Sequence, residues 1–246
     1  MDAGWEELAD PEKGSGWEQL AAGCARRRLP DLDVTVGVVV GTDGLLVVDT
    51  GPTLGDGARL RREIRELTGR PVTHVALTHG HFDHVFGTAA FAGVEVYGDA
   101  ALGAYLDRHR HELRADAVRY GVDQHAAAEA ADVLVRPDHP VDRSCRLDLG
   151  GREVVLASVG PGHTGHDLAV AVPGTPTVVF CGDLVEESGE PQAGPDAVPR
   201  EWPLAMDRLL ELGGETAAYV PGHGAVVDAR FVREQRDRLA ERFGAV

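Results

Sequence analysis

The chain has 246 residues, 43% hydrophobic and 26% charged, which is enough for one large domain with a full core. Its formal net charge of −16 repels polyphosphate at long range, and no Lys/Arg stripe is present, so a nucleic-acid partner is not expected. No apolar run reaches membrane-spanning length, the start Met1-Asp2-Ala3-Gly4-Trp5 lacks a secretory pattern, and Cys24, Cys145 and Cys181 are odd in number and scattered. A cytoplasmic protein with reduced cysteines and no membrane contact is therefore the expectation. Lys13 is the single lysine and stands in a Gly-flanked stretch, which leaves no good candidate for Schiff-base chemistry.

Residues 1–16 are polar, carry Pro11, Gly14 and Gly16, and read as a flexible tail ahead of one domain over 17–246. Val34–Val40 and Leu45–Asp49 are β-branched runs joined by Gly41-Thr42-Asp43-Gly44, a hairpin signal. Asp49, at the end of the second strand, reads equally as a turn-capping residue or as an acceptor that orients a metal loop. Leu60, Ile64 and Leu67 recur at i, i+4 and i+7 and predict a helix over Asp56–Thr68, stopped by Gly69-Arg70-Pro71. A strand at 72–77, a helix starting near Asp83 and a strand at 94–97 continue an α/β grammar.

Residues 99–141 are Ala-, Arg- and Glu-rich, with Leu102, Tyr105, Leu106, His109 and Leu113 at helical spacing, and predict a helical insert that walls or lids a site. His109 and His111 stand among charges and are expected on a solvated face; His125 and His139 are expected at the surface. Strand signals return at Cys145–Leu149, Glu153–Ser158, Leu168–Val172 and Thr177–Cys181. A helix around Trp202, Met206, Leu209 and Leu210, a strand at Ala217–Val220 and a helix from the Asp228 cap to Phe243 complete the chain.

The chemistry concentrates in His79-Gly80-His81-Phe82-Asp83-His84, just beyond a predicted strand. Three imidazoles and a carboxylate in six residues is a donor density that core packing does not need, and imidazole suits zinc and iron. His163 in Gly160-Pro161-Gly162-His163-Thr164-Gly165-His166-Asp167, Asp183 in Cys181-Gly182-Asp183 and His223 in Pro221-Gly222-His223-Gly224 also follow predicted strands beside glycine. Together they supply seven donors on one edge of the sheets, enough for two metals sharing a carboxylate.

This set, in this order along the chain, resembles the metallo-β-lactamase superfamily. The resemblance covers the ordered chain and implies a four-layer αβ/βα sandwich of two mixed β-sheets flanked by helices. It implies two Zn2+ per chain, with iron or manganese also suited to the donors. His79, His81 and His163 would hold the first metal, Asp83, His84 and His223 the second, and Asp183 would bridge them. The implied activity is attack by a metal-bridging hydroxide on a small ester, thioester, lactone or lactam carbonyl, with Asp83 orienting the hydroxide and taking its proton. A mononuclear iron oxidoreductase of the persulfide-dioxygenase kind, or a phosphodiesterase, is the alternative. The partner is then a small-molecule substrate.

No branch of the family fits cleanly. Asp183 stands where the best-known secreted β-lactamases carry cysteine or no bridge. Glyoxalase II adds a C-terminal helical domain, whereas 23 residues follow His223 here. The nuclease branch carries a large extra domain. Quorum-signal lactonases place tyrosine shortly after the bridging aspartate, where Leu184-Val185-Glu186-Glu187 stands here. The flavin-linked oxygen reductases have Glu at the position of His81 and a flavin domain. His166 occupies a position where glycine is frequent; it reads as a contact to substrate or to a metal ligand, or as a surface residue. Cys181 reads as a buried strand cysteine.

Overall fold

A computed structural model describes residues 16–244; the predicted tail lies, but for Gly16, outside the described residues. The first sheet contains β1 (Trp17–Ala21), β2 (Cys24–Leu29), β3 (Val34–Val40), β4 (Leu45–Val48), β5 (His74–Ala76), β6 (Glu95–Asp99) and β7 (His139–Val141). The second contains β8 (Ser144–Asp148), β9 (Glu153–Ser158), β10 (Leu168–Val172), β11 (Val178–Glu186) and β12 (Ala218–His223). Both are mixed: β1 to β4 pair antiparallel and β4 to β7 parallel, while β8 to β11 pair antiparallel and β11 and β12 parallel. The two meet along β3 and β12, in register at the single pair His223 and Val34.

The helices are α1 (Leu54–Thr68), α2 (Phe82–Val85), α3 (Leu102–Arg119), α4 (Gln124–Asp132), α5 (Trp202–Gly213) and α6 (Ala229–Phe243). Three separate apolar cores define four layers. Leu60, Ile64, Leu106 and Leu113 from the helices pack with Val36, Val38, Val47 and Val75 on the outer face of the first sheet. Val39, Leu46, Val48 and Ala76 pack with Leu156, Val170, Val178 and Phe180 between the sheets. Trp202, Met206, Leu209 and Leu239 cover Ala169, Val179 and Tyr219 on the outer face of the second. Side chains along a strand alternate between faces. Val36 and Val38 therefore enter one core while Val39 enters another, and because both faces are covered the strand carries valines on both faces and is buried throughout. The αβ/βα sandwich is thus present as the resemblance implied.

Several local expectations change. β1 and β2 were not predicted, since Cys24-Ala25-Arg26-Arg27-Arg28-Leu29 shows no apolar alternation. Its arginines find partners instead: Arg26 bonds Glu18 at 2.7 Å and the Gly224 carbonyl at 2.9 Å, and Arg28 bonds Asp33 at 2.6 Å. α1 begins two residues before Asp56, because the Thr53 hydroxyl accepts from the Asp56 N–H and caps the helix there. The helix near Asp83 is one turn, Phe82–Val85, followed by a 3-10 turn at Thr88–Phe91. The 99–141 segment supplies α3, kinked at His109, then α4, and also β7, which extends the first sheet at its edge.

Candidate metal centre

All seven predicted donors converge at the edge where the sheets join. β5 ends at Ala76, and the chain turns through Thr78 to bring His79, His81, Asp83 and His84 over that edge. His163 arrives on the loop between β9 and β10, and His223 is the last residue of β12. Asp183 lies inside β11 rather than beyond a strand end as predicted. β11 runs on to Glu186 with register irregularities on both sides of Gly182, and these turn Asp183 towards the cluster.

Two donor groups consist of the seven expected residues alone, His79, His81, His163 and Asp183 in one, Asp83, His84 and His223 in the other; a third, Asp183, Glu186 and His223, brings in Glu186, which sequence reasoning missed, and in each the donor atoms lie within 4.8 Å. Asp183 touches the first two. Its Oδ2 lies 3.7 Å from His79 Nε2, 3.5 Å from His163 Nε2 and 3.4 Å from His223 Nε2, and its Oδ1 lies 3.2 Å from His84 Nε2. Asp83 Oδ2 is 3.3 Å from His223 Nε2 and 3.6 Å from His84 Nε2. His81 turns its Nδ1 inwards, 3.0 Å from His163 Nε2.

The outward nitrogens of His79, His84 and His223 are held from behind, which fixes ring orientation as metal-binding histidines require, whereas the buried Nδ1 of His163 has no hydrogen-bond partner. His84 Nδ1 meets Asp49 at 2.8 Å, His79 Nδ1 meets the Thr78 hydroxyl at 3.1 Å, and His223 Nδ1 meets the Leu32 carbonyl at 2.9 Å. Asp49 also accepts from the Thr78 N–H at 2.8 Å and hydroxyl at 2.7 Å. Between its two readings, orienting the histidine loop is therefore the one realised. By contrast the inward atoms His79 Nε2, His84 Nε2 and Asp183 Oδ1 are buried with no hydrogen-bond partner. Buried polar atoms are rarely left so. Nitrogen and oxygen donors aimed at one volume, with their far sides already tied, fit divalent cations of the zinc and iron kind.

The electrostatics agree. Burial pushes His79 well below the usual histidine range, with His84 adding to the effect, and burial takes His163 to about 4. At His223 burial is outweighed by Asp183 and Asp83, which carry the imidazole up to about 12. At Asp183 burial is likewise outweighed by His84 and His223, which hold the carboxyl well below the usual range. Protons on histidines thus neutralise the carboxylates that cations would otherwise neutralise.

Close approach makes two glycines necessary. A Cβ on Gly80 would lie 2.6 Å from the Tyr105 ring and 2.7 Å from His166 Nε2. A Cβ on Gly222 would lie 1.8 Å from Asp183 Oδ1. Gly222→Ala should therefore displace that carboxylate and cut turnover by roughly 100-fold, as misplacements of about 1 Å do; metal analysis after dialysis should find fewer ions per chain than in the wild type.

His166 is buried, not superficial. Its Nε2 accepts from the Gly80 N–H at 3.1 Å and its ring lies 4.2 Å from that of Tyr105, so it braces the histidine loop. His109 also departs from expectation, stacking on Tyr105 at 4.6 Å and lining the cavity. His111, His125 and His139 are exposed as predicted, and Cys181 is a buried strand cysteine.

Sequence reasoning missed Asp196. It lies between β11 and α5, and its Oδ2 meets His81 Nε2 at 3.1 Å. Burial raises the Asp196 carboxyl, but the bond from His81 outweighs it and holds the group well below the usual range. Its surroundings, Gly194-Pro195-Asp196-Ala197, carry no ligand spacing that could have flagged it. Asp196→Asn should weaken ion binding at the His79–His81–His163 group by about 10–100-fold, the range for residues that orient metal ligands. Competition with a chromophoric chelator measures this.

His81, Asp83, His163, Asp183 and His223 form the floor of a cavity of about 650 Å³. Phe82 of α2, one face of α3 and the segment from Glu186 to Asp196 make its walls.

Paired sheets with a histidine-carboxylate cluster at their common edge define a candidate metallo-enzyme centre. The chain belongs to the metallo-beta-lactamase superfamily, whose sequence pattern matches residues 29–223. It is 30% identical over 204 residues to metallo-beta-lactamase domain-containing protein 1 of Xenopus laevis, covering 78% of this chain and 71% of that one. It is 24% identical over 192 residues to a hydroxyacylglutathione hydrolase of Chromohalobacter salexigens, covering 78% of this chain and 62% of the other. In fold it is similar to a metallo-beta-lactamase from Pontibacter korlensis, with a TM-score of 0.70 at 22% identity over 91% of this chain and 97% of that one.

Proposed function

We propose that this protein is a hydrolase with two zinc ions per chain, acting on the carbonyl of a small ester, thioester, lactone or lactam. One observation carries the reading: His79 Nε2, His84 Nε2 and Asp183 Oδ1 are buried and unpartnered directly beneath His81, Asp83, His163 and His223, which with Asp183 line a cavity. His79, His81, His163 and Asp183 would hold one ion, and Asp83, His84, His223 and the same Asp183 the other. Bound there, divalent zinc supplies Lewis acidity and lowers the pKa of water towards neutrality.

The chain's own residues do the rest. Asp183 keeps the two donor groups in fixed relation by touching both. Asp49, Thr78, Asp196 and the Leu32 carbonyl hold the imidazoles in register, so no reorganisation is needed as charge develops. Asp83 faces the cavity and accepts, at its carboxylate, the proton lost by the attacking water. Phe82, Tyr105 and Leu113 give the cavity an apolar wall that limits bulk water around the reacting carbonyl. No serine, cysteine or lysine nucleophile lines it among the described residues apart from Ser188, which bonds Glu186 at 3.0 Å and has no histidine partner.

The test is a panel of chromogenic esters, thioesters, lactones, lactams and phosphodiesters on zinc-loaded protein. Turnover of a carbonyl substrate is expected, and Asp83→Ala should lower it by about 10²–10⁴-fold, the contribution of a positioned proton acceptor. An unchanged rate in that variant refutes the role of Asp83. Turnover of phosphodiesters alone would move the reaction to phosphoryl transfer.

A second reading rests on the His79–His163–Asp183 subset, three nitrogen and oxygen donors that resemble the facial set of mononuclear iron oxygenases. One iron per chain with oxygen consumption on a persulfide would favour it over the hydrolase.

A further inference from the structure

Glu186 is the carboxylate of this site that the seven expected donors leave unexplained. One of its oxygens lies within 4.8 Å of donor atoms of both Asp183 and His223. The fold delivers it there: Glu186 ends β11, the strand that carries Asp183, and pairs in register with His223 of β12. Its main chain is pinned from α6, where the fully buried Gln235 accepts from the Glu186 N–H at 3.1 Å and donates to the Leu184 carbonyl at 3.0 Å. The Ser188 hydroxyl donates to Glu186 Oε1 at 3.0 Å, the kind of support that steadies carboxylates which bind metals. The neighbouring Glu187 is used elsewhere, accepting from the Ala225 N–H at 2.6 Å, and is not among the residues that line the cavity.

A cation at this end of the cluster is called for independently of Glu186. His84 is fully buried, and its Nε2 points without a hydrogen-bond partner towards the equally unpartnered Asp183 Oδ1, 3.2 Å away. With Asp83 and Asp183 as the only anionic ligands, two divalent cations would keep an excess of positive charge in a buried place, which a third carboxylate reduces. Asp83 and His84 lie outside the Glu186 group, so Glu186 approaches the shared Asp183 and His223 from the cavity side. We propose that Glu186 is a further ligand of the second cation, the one held by Asp83, His84 and His223, on the side that faces the cavity. The two positions are then unlike. The first draws on the imidazoles of His79, His81 and His163 with one carboxylate, the second on those of His84 and His223 with the carboxylates of Asp83, Asp183 and Glu186. The inference rests on the two-ion part of the hydrolase reading above and adds a ligand to it.

Calorimetric titration of Zn2+ into the metal-free full chain, with a competing chelator, tests it without turnover. Glu186→Gln should weaken the second Zn2+ by about 100-fold, since even residues that only orient ligands cost 10–100-fold. The first Zn2+ should bind as in the wild type, which also reports an intact fold. Glu190→Gln removes the same charge from the same cavity wall but from a residue in none of the donor groups, and should leave both ions bound as before. The proposal is overturned if Glu186→Gln binds the second ion at wild-type strength or loses both ions alike. It is also overturned if Glu190→Gln weakens the second ion as much, because the effect would then be one of charge alone. A wild-type chain that takes up a single Zn2+ would bring down the two-ion reading together with the ligand; two ions held equally by wild type and Glu186→Gln would bring down the ligand only.

Discussion

Asp183→Asn should lower kcat/KM by roughly 10³-fold, the equivalent of about 4 kcal/mol of transition-state stabilisation of the kind metal centres supply. The reason is geometric. One carboxylate reaches His79, His163 and His223 with Oδ2 and His84 with Oδ1, all within 3.2–3.7 Å. An amide removes a negative charge and turns donor hydrogens towards imidazole nitrogens, so the two donor groups lose their common member. Metal analysis should show the second ion lost on dialysis, with the weaker-bound ion released about 100-fold more readily or beyond, since even residues that merely orient ligands cost 10–100-fold. The fold should survive, because the amide has the carboxylate's shape and a buried carboxylate is costly to desolvate. Two ions retained at the wild-type rate would show that Asp183 does not join the groups.

Asp49→Ala should give the largest stability loss of any change outside the apolar cores. Asp49 is 2% exposed and accepts from the Thr78 N–H, the Thr78 hydroxyl and His84 Nδ1. Removing it strands three buried donors, each costing about 1–3 kcal/mol. Partial relaxation brings the sum to about 3–5 kcal/mol, which for a chain of this size lowers Tm by roughly 10 °C. Asp49 also sits at φ 59°, a left-handed conformation that aspartate tolerates and alanine does not favour. The measurement belongs on metal-free protein, because bound ions add their own stabilisation. A shift below about 1 kcal/mol would mean that the Thr78–His84 turn holds itself, contrary to the hydrogen-bond count.

The donors of this site could be read from the chain because His79, His81, His163, Asp183 and His223 sit beside glycine at or near a strand end, and Asp83 and His84 follow within the same hexapeptide. The sandwich was legible for a related reason: β3 is rich in valine and β4 is all leucine and valine, which fits strands covered on both faces. What stayed hidden depends on distant partners. Asp196 acts on His81 across 115 residues from a loop without periodicity. The acceptor behind His223 is the backbone carbonyl of Leu32, for which residue type is immaterial. His166 gave a glycine-loop signal that also fits an exposed residue, and its depth is set by Tyr105 of α3 packing over it. The arginine-rich β2 is a strand because Glu18, Glu63 and Asp33 come to meet it, which no local pattern records.

The central claim is that this edge of the sandwich works with two cations on a carbonyl substrate. Titrating zinc into metal-free protein while following hydrolysis of a neutral chromogenic thioester tests that claim most directly. Activity should keep rising until two equivalents per chain are bound and then stop. A plateau at the first equivalent, with no second ion bound, would contradict it.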